Sequence, residues 1–335
     1  MNDGNDSSTA AASSSDRKTT IQQSNWKNGT IPVILTLAPS SLSSPYSPAP
    51  LHMLLHRQTF MYCRVTKRVL QKFEEHAVAC CIPQNSGSEG GEASRYWLED
   101  VESGLPLRWN LFAGVLFDLF HGNISKEDMY QRLPWKLHVH FTPFPENQML
   151  LRCDQGLQTV RRYYLSSLKQ ALYLQHESSK VAMQMTKQSH DDLWDAVVRS
   201  DYGSFWEVTR ACDIHVDSVG NSSASSSEKV GTSLKGLQPH LIPVRLYWNK
   251  NPVISRPCNV KRDDSGERSE TDENSSSLFT LGELLKEWLP RIDFESSNNV
   301  VWKIQGVQVP LEFAMVDLWR SLCHPDLFLY IIVLD

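Results

Sequence analysis

Ile31-Pro32-Val33-Ile34-Leu35-Thr36-Leu37 is a run of aliphatic and β-branched residues between Gly29 and a Pro- and Ser-rich stretch at residues 38–50. Such a run predicts a β-strand. Residues 51–60 form a second apolar run, which we predict to pair with the first as a hairpin across a long loop. Apolar residues at helical spacing come next, at Val65, Val69, Leu70 and Phe73. The chain therefore opens with two strands and a helix.

The same order of elements returns near the C-terminus, starting with Ile242-Pro243-Val244-Arg245-Leu246-Tyr247, 211 residues after Ile31. The later segments of the first copy are Tyr96-Trp97-Leu98, Leu105-Pro106-Leu107, residues 115–120 and residues 137–141. Those of the second copy are Val253-Ile254, residues 281–289, Val301-Trp302, Val309-Pro310-Leu311, Leu318-Trp319 and residues 329–334. Correspondences that keep one order indicate a duplicated fold.

The order in each copy is strand, strand, helix, strand, short element, strand, which is typical of the ubiquitin-like β-grasp fold. An unrelated α+β domain with the same number of elements fits this order as well. We predict an α+β chain with two ubiquitin-like β-grasp domains, at residues 26–145 and 238–335, flanking a helix-rich domain at residues 150–216. In that middle domain the helix-spaced apolar residues are Leu157, Val160, Tyr164, Leu168 and Leu172.

Polar segments separate these domains. Residues 1–25 are small and polar with no apolar core after a basic start, so we predict a disordered tail and no secretory signal. Residues 217–237 are rich in Ser and Gly and predict a flexible linker. Residues 82–94 and 261–277 are likewise rich in Ser, Gly and charged residues, and we predict that they form mobile loops.

Composition excludes several classes of function. The formal net charge of -5 gives no basic field over the whole chain, which argues against nucleic acid as the main partner. The seven cysteines include no CxxC pair, which argues against a disulfide scaffold or a zinc module and for a cytoplasmic chain. The longest apolar run, residues 327–334, is far below the roughly 20 residues needed to span a bilayer, so any membrane contact should be peripheral.

Three groups of potentially reactive residues stand out in the sequence, and none of them has the pattern of a catalytic site. His324-Pro325-Asp326 after Cys323 has a superficial likeness to conjugating enzymes but precedes the last strand, and we predict a turn there. Cys80-Cys81 has only His76 nearby and no acid for a relay, which indicates ordinary thiols. His138 and His140 share one face of a strand, but two ligands do not make a zinc site and no third is near in sequence. We predict no enzyme activity, no metal and no cofactor.

Several ordered segments resemble the autophagy protein 5 family. In the first half they are Trp26-Lys27-Asn28-Gly29-Thr30-Ile31-Pro32, Leu107-Arg108-Trp109, Gly114-Val115-Leu116-Phe117-Asp118-Leu119 and Leu133-Pro134-Trp135-Lys136-Leu137-His138-Val139-His140-Phe141. In the middle they are Tyr164-Leu165-Ser166-Ser167-Leu168-Lys169, Asp192-Leu193-Trp194 and Phe205-Trp206. The C-terminal copy resembles the family more loosely, through Thr280-Leu281-Gly282-Glu283-Leu284-Leu285.

The resemblance implies that Lys169 accepts the C-terminal glycine of the ubiquitin-like autophagy protein 12 through an isopeptide bond. The conjugate would bind the coiled-coil autophagy protein 16 and act in an E3-like way, promoting lipidation of autophagy protein 8 at the preautophagosomal membrane. Lys169 follows Leu168, so it lies about 100° from the end of the apolar stripe and should be accessible beside Arg162, Ser166 and Tyr173. The alternative is a ubiquitin-like adaptor that binds its partners without conjugation.

The resemblance also implies a groove that receives an amphipathic helix of autophagy protein 16. We predict Arg57, after Leu54-Leu55, as a polar anchor at this groove and Trp26 as a residue that lines it. The competing interpretation is that Trp26 plugs the core and that Arg57 faces solvent on its strand. The chain ends in Ile332-Val333-Leu334-Asp335 rather than glycine, so we expect it to receive a modifier and not to be one.

Overall fold

The computed structural model describes residues 21–77, 95–123, 132–143, 145, 153, 156–212, 214, 241–249, 251–261, 278–294 and 300–334. Cys80-Cys81, the predicted loop at 82–94, the predicted linker at 217–237 and residues 262–277 lie outside these ranges. Across the part that is described, no helix has both the length and the apolar content needed to cross a membrane.

The N-terminal unit is a four-stranded sheet with helices α1 (Ile21–Asn28), α2 (Met61–Phe73) and α3 (Ala113–His121). Its strands are β1 (Thr30–Leu37), β2 (Leu51–His56), β3 (Trp97–Asp100) and β4 (Trp135–His140). They lie in the order β2-β1-β4-β3, with β1 antiparallel to β2 and parallel to β4. This parallel pairing of first and last strands, with α2 as the crossover, confirms the β-grasp prediction.

The helical segment follows, with α4 (Leu157–His176), α5 (Lys180–Gln184), α6 (Lys187–Arg199) and α7 (Tyr202–Ala211). The C-terminal unit contains β5 (Leu241–Trp248), β6 (Ile254–Asn259), α8 (Leu281–Trp288), β7 (Val301–Lys303), α9 (Met315–Leu322) and β8 (Leu329–Leu334). Its strand order, β6-β5-β8-β7, repeats that of the N-terminal unit, again with the first and last strands parallel. The predicted duplication is therefore confirmed.

The two sheets differ in how their faces are covered. Residues of β1 alternate between buried and partly exposed, so one face of the N-terminal sheet packs on its core and the other remains open. In contrast, β5 is buried along its middle and β8 along its whole length, because helix α4 lies against β5 on the face opposite the core. The helical segment is thus docked on the C-terminal sheet.

Local sequence signals explain where some helices begin. Helix α8 starts with a capping box in which the Glu283 amide donates to Thr280 Oγ1 (3.3 Å) and the Thr280 amide donates to Glu283 Oε2 (2.9 Å). The Asp201 side chain caps α7 by accepting from the Ser204 amide at 3.2 Å. The predicted helix at 281–289 is therefore found almost at its predicted bounds.

Two predicted boundaries are wrong. Helix α1 begins at Ile21, so residues 21–25, predicted to be part of a disordered tail, are helical. The helix is held by Trp26, which is only 3% exposed. The predicted strand at 51–60 ends at His56, because the chain turns after β2 and Phe60 already caps α2.

Candidate functional site

A shallow pocket lies where all three parts of the molecule meet. It is lined by α1, by α7, and by the turn between α9 and β8. Its lining residues are Gln22, Trp26, Phe205, Trp206, Thr209, Ile214, Cys323, His324, Pro325 and Leu327. The Gln22 side chain donates to the Cys323 sulfur at 3.2 Å, so α1 bridges to the C-terminal unit.

Trp26 lines this pocket while most of its ring is buried. Its ring centroid lies 4.9 Å from that of Phe205 and 5.9 Å from that of Tyr202, both on α7. His56 on β2 lies 3.1 Å from the Trp26 carbonyl oxygen through its Nδ1. Trp26 therefore joins α1, the helical segment and β2, and packs in the core as well as bordering the pocket.

Arg57, predicted as a polar anchor of the groove, forms its contacts where the N-terminal and C-terminal units meet. It follows the end of β2, and its guanidinium forms an ion pair with Asp118 of α3, the two side chains being 14% and 4% exposed. The same guanidinium donates to the Gly114 carbonyl at 3.4 Å and faces Gly306 of the C-terminal unit. Arg57 is neither on a strand nor exposed to solvent, and it is not among the residues that line the pocket.

A buried polar network holds the helical segment on the C-terminal unit. The Asp326 carboxylate accepts from Ser167 of α4 (2.7 Å), from Tyr330 of β8 (2.8 Å) and from Arg245 of β5 (3.3 Å). Arg245 also donates to Gln170 of α4 at 3.1 Å. Burial raises the pKa of Asp326, and these hydrogen bonds offset part of that rise. His324-Pro325-Asp326 is thus a buried turn that docks α4.

His324 of this turn packs between the two sheet-containing units. Its ring lies 5.0 Å from that of Phe112 and 4.5 Å from that of Tyr330. Burial lowers the pKa of His324 well below its usual value, and the charges of Arg57 and Arg245 lower it further. The imidazole is therefore neutral near pH 7.

Lys169 lies on the exposed side of α4, as predicted. Arg162, Ser166 and Tyr173 on the same helix are exposed as well. The sequence did not indicate that His190 of α6 lies near this amine. Burial is the largest cause that lowers the pKa of His190, and the positive charge of Lys169 is the next largest. The amine thus lies at the open edge between α4 and α6.

The buried cysteines are poor candidates for thiol chemistry. Burial raises the pKa of the Cys323 thiol to about 12, and burial also raises the pKa of Cys258. A thiol that is protonated at pH 7 is a weak nucleophile. Cys80-Cys81, the pair considered above, lies outside the described residues.

Comparisons with known proteins agree with this architecture. Three family models match the chain: "Autophagy protein ATG5, UblA domain" over residues 26–141, "alpha-helical bundle region" of the same protein over 157–211, and its "UblB domain" over 241–333. The chain belongs to the autophagy protein 5 family. The two units with β-grasp sheets are the family's ubiquitin-like domains, and the resemblance seen in the sequence is confirmed.

Individual relatives in the autophagy protein 5 family cover most of the chain. Autophagy protein 5 of Dictyostelium discoideum is 23% identical over 94% of this chain and 94% of its own length. That of Neosartorya fischeri is 25% identical over 93% of this chain and 94% of its own length. The crystal structure of Kluyveromyces marxianus Atg5 matches with a TM-score of 0.67 and 19% identity, over 93% of this chain and 98% of the other. Family membership assigns the chain a role in autophagy.

Proposed function

We propose that this protein is a non-catalytic autophagy scaffold that accepts autophagy protein 12 on Lys169 through an isopeptide bond. The conjugate binds the coiled-coil autophagy protein 16 and acts in an E3-like way in the lipidation of autophagy protein 8. It is cytoplasmic and is recruited to the preautophagosomal membrane through the complex. The exposure of Lys169 on α4, at an edge that a globular modifier can approach, is the observation that carries the conjugation step.

The chemistry at Lys169 requires a neutral amine that attacks the thioester carried by a conjugating enzyme. The amine nitrogen forms a bond to the modifier's terminal carbonyl carbon, the thioester's carbon–sulfur bond breaks, and the enzyme's sulfur leaves as a thiol that carries the proton lost by the amine. His190 of α6 lies close enough to Lys169 for the charge of the amine to lower the pKa of the imidazole, after burial.

The pocket at α1, α7 and the α9–β8 turn is the proposed groove for the helix of autophagy protein 16. The partly exposed Trp206 supplies apolar surface there, as a groove for an amphipathic helix requires, and the buried Trp26 borders it. Arg57 contributes indirectly in this proposal. Its ion pair with Asp118 and its contact with Gly306 hold the two ubiquitin-like units in the arrangement that forms the pocket.

The conjugation proposal is tested by immunoblot of the chain expressed with autophagy protein 12 and its conjugating enzymes. Wild type should give a band shifted upward by one modifier, and Lys169→Arg should abolish it. Lys180 and Lys187 are exposed lysines of the neighbouring helices, so Lys180→Arg and Lys187→Arg are matched controls that should keep the shift.

Two other results would overturn parts of this proposal. A shift that persists in Lys169→Arg but disappears in one of the controls would move the acceptor to that lysine and leave conjugation intact. No shift in wild type, with autophagy protein 16 still co-purifying, would favour the adaptor that binds without conjugation.

A further inference from the structure

The open face of the N-terminal sheet carries a cluster of metal-ligating side chains on its last two strands. Because β3 and β4 are antiparallel and Glu99 pairs with His138, side chains at these positions share a face. His140, two residues along β4, points to the same face and pairs with Trp97. The sheet thus supplies the carboxylate that spacing along the sequence alone could not bring near the two histidines.

The distances within this cluster fit a metal ion. His138 Nδ1 lies 3.5 Å from Glu99 Oε1, and His140 Nε2 lies 3.4 Å from Glu99 Oε2. One ligand atom from each of the three residues lies within 4.8 Å of the other two. Ligand atoms bound about 2.0–2.1 Å from a tetrahedral ion are about 3.4 Å from each other. The side chains are therefore near the spacing that zinc requires.

The surroundings of His140 prepare it to act as a ligand. Its ring stacks on Trp97 with centroids 3.9 Å apart and planes at 8°, which fixes the ring plane. Its Nδ1 lies 3.4 Å from the Ser40 hydroxyl, and its buried Nε2 faces the Glu99 carboxylate. A metal-binding histidine commonly has its second nitrogen held by a polar group in this way.

We propose that Glu99, His138 and His140 bind a divalent transition metal, Zn²⁺ in particular. Two imidazoles and one carboxylate are an established ligand set for zinc, with water in the fourth position. His138 and Glu99 remain 28% and 22% exposed, so the ion can enter from solvent and the fourth position faces outward. The ion would tie β3, an edge strand of the sheet, to β4. This proposal does not depend on conjugation at Lys169.

The proposal is tested by titrating Zn²⁺ into the chelator-treated full chain by isothermal calorimetry. Wild type should bind one ion per chain, and Glu99→Gln or His138→Ala should weaken binding by about 100-fold or more. Ser40→Ala, which removes only the partner of the second nitrogen, should weaken it by about 10-fold. The chain has 11 histidines, so His52→Ala, at an exposed position on β2 of the same sheet, is the matched control and should leave binding unchanged.

Co²⁺ provides a second measurement, since its visible absorption reports four- or five-coordinate binding. Wild type should give that spectrum and Glu99→Gln should lose it. Glu99→Gln keeps the size of the side chain and removes only the carboxylate. If His138→Ala fails to fold, Glu99→Gln still tests whether the cluster binds the metal. The proposal is wrong if wild type binds no stoichiometric Zn²⁺, or if Glu99→Gln binds as tightly as wild type.

Discussion

The Ser167 hydroxyl of α4 donates a 2.7 Å hydrogen bond to the Asp326 carboxylate in the α9–β8 turn, and both side chains are buried. These residues are 159 positions apart in the chain. The bond joins the helical segment to the C-terminal ubiquitin-like domain at the same carboxylate that balances the charge of Arg245. The docking of α4 therefore depends on the Asp326 carboxylate, which contacts both Ser167 of α4 and Arg245 of β5.

Removing the two partners of this bond should have unequal effects. Ser167→Ala loses one hydrogen bond to a charged group and should lower the free energy of unfolding by about 1.5–3 kcal/mol. Asp326→Ala also leaves the buried Arg245 without its countercharge and should cost about 3–5 kcal/mol. Urea denaturation measures both. Equal losses in the two variants would contradict this account.

The ion pair between Arg57 and Asp118 should contribute to folding, as its burial indicates. Arg57→Ala leaves the Asp118 carboxylate buried and unpaired, and should lower the free energy of unfolding by about 3–5 kcal/mol. The pair Arg320 and Asp317, 3.9 Å apart with Asp317 58% exposed, is the control. Asp317→Ala, which removes the exposed member of that pair, should cost less than about 1 kcal/mol by the same measurement. A similar loss for both variants would show that Arg57 contributes no more than a surface charge.

Gly306 has a φ of +81°, and a methyl group added there would come within 2.8 Å of Arg57 Nη2. Gly306→Ala should therefore combine backbone strain with displacement of the guanidinium from Asp118. Gly104 has a φ of +65° and open space around it, so Gly104→Ala is a control that measures the backbone strain alone. We expect Gly104→Ala to cost about 1 kcal/mol and Gly306→Ala to cost clearly more. Thermal unfolding of the two variants checks this, and equal shifts would exclude the contact with Arg57.

Stability should fall in mild acid because of His324. Its folded-state pKa is lowered by burial, so the unfolded chain binds the proton more readily. The resulting stability is present above the unfolded pKa of about 6.5 and is lost as the pH falls below it. In His324→Gln, the slope of unfolding free energy between pH 6.5 and 5 should be shallower by up to about 1.4 kcal/mol per pH unit. Identical slopes in denaturation series at several pH values would exclude this residue as the source.

The proposed groove makes Trp206 a test of partner binding. Trp206 lines the pocket but is partly exposed, so its replacement should disturb folding less than that of Trp26. Trp206→Ala should weaken binding of an amphipathic helical peptide of autophagy protein 16 by about 30-fold or more, as for an aromatic hot spot. Tyr173, 55% exposed on α4 and outside the pocket, is the control. Fluorescence anisotropy would contradict the groove if Tyr173→Ala weakened binding as much as Trp206→Ala.

The site was less predictable than the fold. The exposure of Lys169 follows from one helix and its apolar stripe, so the periodicity of the sequence was sufficient. The ion pair of Arg57 could not be predicted, because nothing near Arg57 in the sequence indicates Asp118, which lies 61 residues away on α3. Glu99 was missed for a similar reason, since it meets His138 only through the pairing of β3 with β4.

The sequence by itself determined the order of elements, the duplication and the family, because strand and helix periodicities depend on residues that are neighbours in the chain. Only the tertiary structure decided which charges are paired and which faces are covered. It packed α4 against β5, buried the Asp326 network between them, and left the face of Glu99, His138 and His140 open. The physical reason is that burial and charge pairing are set by contacts between distant segments, and these form only when the sheets and helices pack together.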